Sequence, residues 1–233
     1  MKITKKSKII IPVIVSLAIL SISIVSFSPI SVSAAGAYDL NIPEISGTIE
    51  IKDSSDNLYL QQTEISFETA MKIAENSVTD STAMIGKIEV LQGYLVYKIP
   101  VINDDKITFY TFIDAGNGNV LFVSKGFTEE QIKSRQLSLE ETQRQLKESG
   151  IEMTIEEIEQ QRRNGEELKR AFLALPIEDK ATLLSHLAMT RLLPDDQQRV
   201  ERERLVTFME EELFTTSHEG KILKLKEFAE SLR

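Results

Sequence analysis

The sequence predicts an α+β protein, in which one helix packs on an antiparallel β-meander and an all-α region of several helices follows. Two changes of pattern along the chain indicate this. From Ile85 to Val123, apolar residues recur with a period of two and β-branched and aromatic residues are frequent. From residue 127 onward only two valines remain, tyrosine is absent, and Glu, Gln, Leu, Lys and Arg dominate. These residues favour helix over strand, so the fold class changes near residue 126.

The predicted sheet consists of four short strands. Its apolar runs are Ile88 and Val90, then 94–101, then 107–113, then 120–123, with turn-forming residues at 92–93, 103–105 and 115–118 between them. Connections of this length join antiparallel neighbours, because parallel pairing needs a crossover of a dozen or more residues. The four runs are therefore expected to form a meander.

The predicted helix precedes the sheet. Ser66 is a suitable N-cap and Glu68 lies in the first turn. The helix face is formed by Phe67, Ala70, Met71, Ala74 and Val78, which recur at helical spacing. This apolar face is expected to cover one side of the sheet. The preceding residues 38–64 read as a lead-in with a possible strand at 47–51.

Residues 127–233 carry repeated signals for the start of a helix. Capping-box spacing occurs three times, at Thr128 with Gln131, Ser138 with Glu141, and Thr154 with Glu157. Pro176 and Pro194, each followed by acidic residues, fit the first position of a helix. We expect a charged helical region whose secondary structure does not depend on the preceding domain, and whose narrow apolar stripes allow self-association.

The N-terminal segment, residues 1–37, has the pattern of an export signal. Four lysines precede an apolar run from Ile9 to about Ile30, and small residues follow at 33–37. This order is typical of a cleaved signal peptide, although the run approaches the length of a membrane anchor. Either interpretation places the rest of the chain outside the cytoplasm, secreted or held at the outer face of the membrane. The chain has no cysteine, so neither a disulfide nor a lipid anchor on cysteine is expected.

Composition and motifs give no support for catalysis. The formal net charge of −9 argues against nucleic acid as a partner. His186 and His218 have no cysteine, second histidine or nucleophile motif near them in sequence, so structural roles are expected for both. We therefore predict no catalytic residue, no metal and no cofactor.

One segment resembles a known family. The residues that carry the resemblance are Ala70 and Ala74 on the helix, the strand that begins Gly93-Tyr94 and includes Tyr97, and the hairpin containing Asp114, Gly116, Asn117, Gly118 and Val120. In order and spacing they are similar to a PepSY domain, here placed at residues 65–126. Asn117 stands where the family usually has threonine. No H-E-x-x-H motif occurs in the chain, so the domain is not joined to a protease of that type.

The resemblance implies a function in protein binding. PepSY domains occur in propeptides of thermolysin-like metalloproteases and in exported proteins, which implies protease inhibition, folding assistance or protein recognition without catalysis. The implied partner is a protein, with an extracytoplasmic peptidase as the leading candidate. The alternative is a structural or assembly protein of the cell envelope that works through its helical region, while a hydrolase is the least supported class.

Two details of the domain have a local interpretation. Asn117-Gly118 is expected to supply the two positive-φ positions of a type I′ turn, with Asp114 capping nearby amides. A calcium loop at Asp114, Asn117 and Asn119 is the less favoured alternative, because the pattern of an EF-hand is missing. Tyr94 and Tyr97 point to opposite sheet faces, so at least one of them is expected to pack on the sheet; packing is the favoured role, and joining a binding surface is the alternative for an exposed one.

Overall fold

A computed structural model describes residues 40–52, 57–134 and 137–233 of the chain. The predicted export segment 1–37 lies outside these residues. The described residues belong to two compact units, one with residues 133–168 and the other with residues 40–132 and 169–233. The predicted boundary near residue 126 does not coincide with this division. The independent folding of 65–126 and 127–233 stays a prediction.

The sheet is antiparallel, as predicted. It contains β1 (Ser81–Ala83), β2 (Lys87–Leu91), β3 (Tyr94–Asn103), β4 (Thr108–Asp114) and β5 (Val120–Val123). Strands β2 to β5 form the expected meander, with cross-strand pairs such as Tyr97 with Ile113 and Phe112 with Phe122. A register shift next to Phe112 breaks the regular pairing of β5. The α+β prediction is confirmed.

Strand β1 was not predicted from the sequence. It pairs with the far end of β3, where Ser81 lies opposite Asn103, while β2 pairs with the near end. Because β3 is ten residues long, two short strands lie end to end along the same edge. The possible strand at 47–51 is reduced to a single bridge between Glu50 and Tyr94.

Helix α1 (Phe67–Asn76) covers one face of the sheet and begins at the predicted N-cap, where the Thr69 amide donates to Ser66 Oγ. Its buried side chains are Phe67, Ala70, Met71 and Ala74. Val78 lies beyond the end of the helix, so it is not part of the helical face that the sequence predicted.

Seven α-helices occur in the described residues. Those after the sheet are α2 (Glu129–Lys133), α3 (Leu139–Glu148), α4 (Ile155–Leu173), α5 (Ile177–Thr190), α6 (Asp195–Thr207) and α7 (His218–Ser231), with a π-helical turn at Phe208–Leu213. The helical prediction for this region is confirmed. None of the helices described is long and apolar enough to cross a bilayer.

Helix α5 belongs to the same compact unit as the sheet and packs against α1. Lys180, only 2% exposed, extends its Nζ to within 3.3 Å of the Ala83 carbonyl oxygen, and the Ala83 amide donates to Glu75 Oε1. Burial lowers the pKa of Lys180 from its ordinary value, with Glu75 opposing the shift. The backbone of Ala83 in β1 is therefore hydrogen-bonded to side chains of both α1 and α5.

The caps of the later helices follow the sequence with one correction. Thr128 with Gln131 and Thr154 with Glu157 form reciprocal capping boxes. Pro176 and Pro194 are the N-cap residues and not the first helical residues, so their helices begin one position later than predicted. In the unit of residues 133–168, Leu146, Met153 and Ile158 form a separate small core.

Candidate protein-interaction surface

Most residues that carry the family resemblance are used by the fold itself. Ala70 and Ala74 are fully buried on α1, where a larger side chain would keep the packed elements apart. Tyr97 is 1% exposed, and its hydroxyl donates to the Ile65 carbonyl at 2.6 Å while its ring meets Phe67 edge-on. Burial raises the pKa of the Tyr97 hydroxyl. These side chains fix the start of α1 on the sheet and are not available to a ligand.

The tight hairpin turn lies at Gln92-Gly93, and the prediction of a type I′ turn at Asn117-Gly118 is wrong. Gln92 and Gly93 have φ of +50° and +87°, which suits the two central positions of a type I′ turn. At the other hairpin only Gly118 has positive φ, at +78°. The loop of this second hairpin is longer than a two-residue turn, as shown by the hydrogen bond that the Gly118 amide donates to the Asp114 carbonyl four residues earlier.

The buried carboxylate of Asp114 holds the longer hairpin. It is 1% exposed and accepts four hydrogen bonds, two from the amide and hydroxyl of Thr48, both at 2.6 Å, and two from the amides of Gly116 and Asn117, at 2.8 and 3.3 Å. Donors of this number satisfy a buried carboxylate without a metal ion. Asp114 therefore ties the lead-in to the hairpin across 66 residues of sequence.

Gly116 is required by this contact. A Cβ at Gly116 would lie 2.3 Å from Thr48 Oγ1, closer than real Cβ atoms come. Gln92 fastens the same lead-in from the other hairpin, since its side-chain amide accepts from the Ile45 amide and donates to the Pro43 carbonyl, both at 3.0 Å. The lead-in is therefore held at two points, by Asp114 at Thr48 and by Gln92 at Pro43 and Ile45.

Two residues of the motif remain at the surface. Asn117 is exposed and Val120 is 43% exposed, one of few large apolar side chains with that exposure in the described part of the chain. The Asn117 side chain accepts from the Asn119 amide at 2.8 Å, which is a turn contact. No group of three or more His, Cys, Asp or Glu side chains suited to a metal occurs among the described residues.

The sheet face away from α1 is lined by apolar and aromatic side chains. Val96 and Phe112 form a cluster there with Ile45 of the lead-in, and half-buried Tyr94 and Phe122 pack against it. Tyr94 and Tyr97 therefore lie on opposite faces, as the alternation of β3 predicts. Lys98 also lies on this face, with its Nζ 5.2 Å from the ring centre of Tyr110 and 5.4 Å from that of Phe112.

The two histidines lie apart from this surface. His186 on α5 has its Nε2 3.6 Å from Glu201 Oε2, and its ring meets Phe228 edge-on at 6.2 Å. Burial lowers the pKa of His186 from 6.5, and the attraction of Glu201 opposes the shift. His218 is exposed at the start of α7.

Comparison with known families agrees with the geometry. Residues 64–123 match the family model described as Peptidase propeptide and YPEB domain, which is PepSY. The chain contains a PepSY domain. No curated protein and no solved structure matches the chain significantly. The match covers α1 and the whole sheet, and the assignment of individual residues to the family motif stays a prediction.

Sequence reasoning missed three residues that build the surface of the PepSY domain. Thr48 and Gln92 act through contacts more than forty residues away in sequence, which no local pattern shows. Of the three, only Lys98 could have been noticed in the sequence, because it is a charged residue in an apolar strand, at a position that alternation assigns to the same face as Val96.

Proposed function

We propose that this chain is an exported, non-enzymatic PepSY protein that acts by recognising another protein outside the cytoplasm. The proposed partner is an extracytoplasmic peptidase, whose activity the complex inhibits or regulates. The observation that carries the proposal is the family match at residues 64–123, because the family description names peptidase propeptides. The lysine-rich apolar N-terminus supports export.

The arrangement of the domain supports recognition rather than chemistry. The polar motif groups Asp114 and Tyr97 are consumed by internal hydrogen bonds, so they serve the fold. What the domain offers to solvent is the hairpin tip at Asn117 and Val120, together with half-buried aromatic rings on the face away from α1, namely Tyr94, Tyr110 and Phe122. Such surfaces bind other proteins by shape, apolar contact and a few placed charges.

A second candidate function is supported by the helices. Three large apolar side chains are more than half exposed there, namely Met189 at 51%, Val200 at 58% and Leu223 at 56%. Each lies on a different helix, and apolar side chains exposed to this degree are accessible to a second copy of the chain or to an envelope component. This observation favours a structural or assembly protein that works through its helical region.

Capture from the native envelope separates the two candidates. The chain from residue 38 onward is immobilised, envelope extract is passed over it, and lysine cross-links are mapped by mass spectrometry. The proposal expects a peptidase, cross-linked at lysines of the PepSY domain such as Lys87 or Lys106. It also expects the peptidase activity to change in proportion to the chain added.

The second candidate predicts a different set of results. Cross-links would join copies of the chain, or join an envelope component, at lysines of α7 such as Lys224 and Lys226. The change Val200→Asp would abolish that association, whereas the proposed function expects the same variant to capture the peptidase unchanged. Capture of envelope polymer or of the chain itself, with no peptidase, would contradict the proposed function.

A further inference from the structure

A half-buried lysine lies on the aromatic face of the PepSY sheet without a carboxylate partner. The Lys98 ammonium lies over the rings of Tyr110 and Phe112, and no described acidic side chain is in ion-pair contact with it. Ring faces attract a cation but do not supply the hydrogen bonds of an anion. The three donors of this ammonium are therefore open to an incoming acceptor.

A second lysine lies beside Lys98 on the neighbouring strand β2. Lys87 lies directly opposite Lys98 in the register of the sheet. Like charges in this position destabilise a strand pair. The nearest acid, Glu89, is engaged by Lys87 at 2.5 Å. Two cations thus lie beside one carboxylate, and within the described part of the chain the ammonium of Lys98 is left with ring contacts alone.

Aromatic rings and another lysine continue the surface around Lys98. Tyr110 meets Phe127 edge-on, with ring centres 6.0 Å apart, and Lys125 lies 5.9 Å from the centre of the Phe127 ring. We call Lys98, Tyr110, Phe112, Lys125 and Phe127 the cationic-aromatic strip. Phe112 and Phe127 are 1% and 2% exposed and form the floor of the strip, so the parts that reach solvent are the two lysines and half-buried Tyr110. An apolar ring between two cations suits a segment that alternates acidic and apolar side chains.

Charge decides which occupant fits the strip. The chain as a whole carries −9, so positive charge gathered on an apolar face is not explained by composition. The chain's own N-terminal residues 1–37 contain four lysines and no acid, and the strip would repel them. A partner with carboxylates would instead neutralise Lys98 where the surrounding rings exclude water, and there an ion pair is stronger than in open solvent.

We propose that the cationic-aromatic strip binds an extended acidic segment of a partner protein, with a carboxylate of that segment hydrogen-bonded to Lys98 Nζ. This inference rests on the proposed function, since it names the chemistry of the protein that the PepSY domain recognises. Apolar side chains of the segment lie against half-buried Tyr110, and exposed Lys125 receives a second acid at the rim of the strip.

Peptide binding tests the strip directly. The probe is a capped peptide in which glutamate alternates with valine or leucine, and its matched control is the same peptide with glutamine. Binding to the full chain from residue 38 is measured by calorimetry. We expect the glutamate peptide to bind about tenfold more tightly than the glutamine peptide, the size expected for one charge-assisted hydrogen bond. Added salt should weaken only the glutamate peptide.

Substitutions then assign the effect to Lys98. Lys98→Gln should remove the preference for glutamate, and Lys98→Met should do the same while keeping the apolar stem over the rings. Lys106→Gln is the matched control, because Lys106 is an exposed lysine of the same domain outside the strip. Thermal melts of all three variants show whether each one is folded.

The outcomes separate this inference from the proposed function. Equal binding of the two peptides, equal binding by folded Lys98→Gln and the parent chain, or no binding of the glutamate peptide would overturn the strip as an acidic-segment site. Envelope capture of a peptidase that is unchanged by Lys98→Gln would also overturn it, while leaving the proposed function standing. Failure of the parent chain to capture a peptidase, together with a Lys98-dependent glutamate preference, would overturn the proposed function alone.

Discussion

Replacing Asp114 by Asn should loosen the hairpin and the lead-in together. The substitution keeps the shape of the side chain but turns one acceptor oxygen into an amide donor. If the amide replaces Oδ2, the Thr48 amide, now 2.6 Å away, faces another donor. If it replaces Oδ1, the Thr48 hydroxyl and the amides of Gly116 and Asn117 lose their acceptor. The first arrangement is the less costly one.

The expected loss follows from that first arrangement. One hydrogen bond to a charged group contributes about 1.5–3 kcal/mol, and leaving a buried donor without a partner costs a further ~1 kcal/mol. Asp114→Asn should therefore lower the free energy of unfolding by about 3 kcal/mol. That is a large part of the roughly 5–15 kcal/mol that stabilises a domain, and it should lower the melting temperature by roughly 6–12 °C.

Tyrosine gives an assay specific to this part of the chain. All five tyrosines lie between residues 38 and 110, and tryptophan is absent, so near-UV circular dichroism during urea unfolding reports on the PepSY domain and its lead-in. Asp105→Asn, at an exposed turn position of the same sheet, is the matched control and should stay within about 0.5 kcal/mol of the parent. An Asp114→Asn variant as stable as this control would refute the role assigned to the carboxylate.

Further predictions concern the same domain and the histidine of α5. Gly116→Ala should cost about 1–3 kcal/mol, because its Cβ meets Thr48 Oγ1, and a double-mutant cycle with Thr48→Ala should recover part of the loss. Tyr97→Phe should cost about 1 kcal/mol by removing the bond to the Ile65 carbonyl, and an unchanged urea midpoint would contradict this. The lowered pKa of His186 means that the unfolded chain takes up a proton more readily, so stability is full above pH 6.5 and falls as pH drops from 6.5 towards the folded pKa. His186→Asn should flatten that part of the pH profile of the melting temperature, and identical slopes for both proteins would refute it.

Local sequence patterns predicted the parts of the fold that local physics determines. Alternation located β2 to β5, and the caps at Ser66, Thr128 and Thr154 mark where helices begin, because capping depends on residues within one turn. Strand β1 escaped prediction since its three residues show no clear alternation. It forms because the long β3 offers unpaired backbone beyond the end of β2.

The turn types and the surroundings of Lys98 could not be predicted from local sequence, because they depend on contacts between distant residues. Asn-Gly is the stronger signal for a type I′ turn, yet Gln92-Gly93 adopts it, because Gln92 gains bonds to the distant lead-in. At the other hairpin, Asp114 gathers the amides of Gly116 and Asn117 and imposes a longer loop. Alternation along β3 assigns Lys98 to the same face as Val96, but only the register of the sheet shows that Lys87 lies opposite Lys98.

The measurement that tests the central claim most directly is a titration of the purified chain into the peptidase captured from the envelope, with substrate hydrolysis and complex formation followed together. The account predicts a saturable, stoichiometric change in hydrolysis, a complex that dissociates without covalent linkage, and no hydrolysis by the chain alone. A chain that hydrolyses the substrate by itself, or that forms no complex while leaving the peptidase rate unchanged, would contradict the proposal that this chain acts by recognising a peptidase.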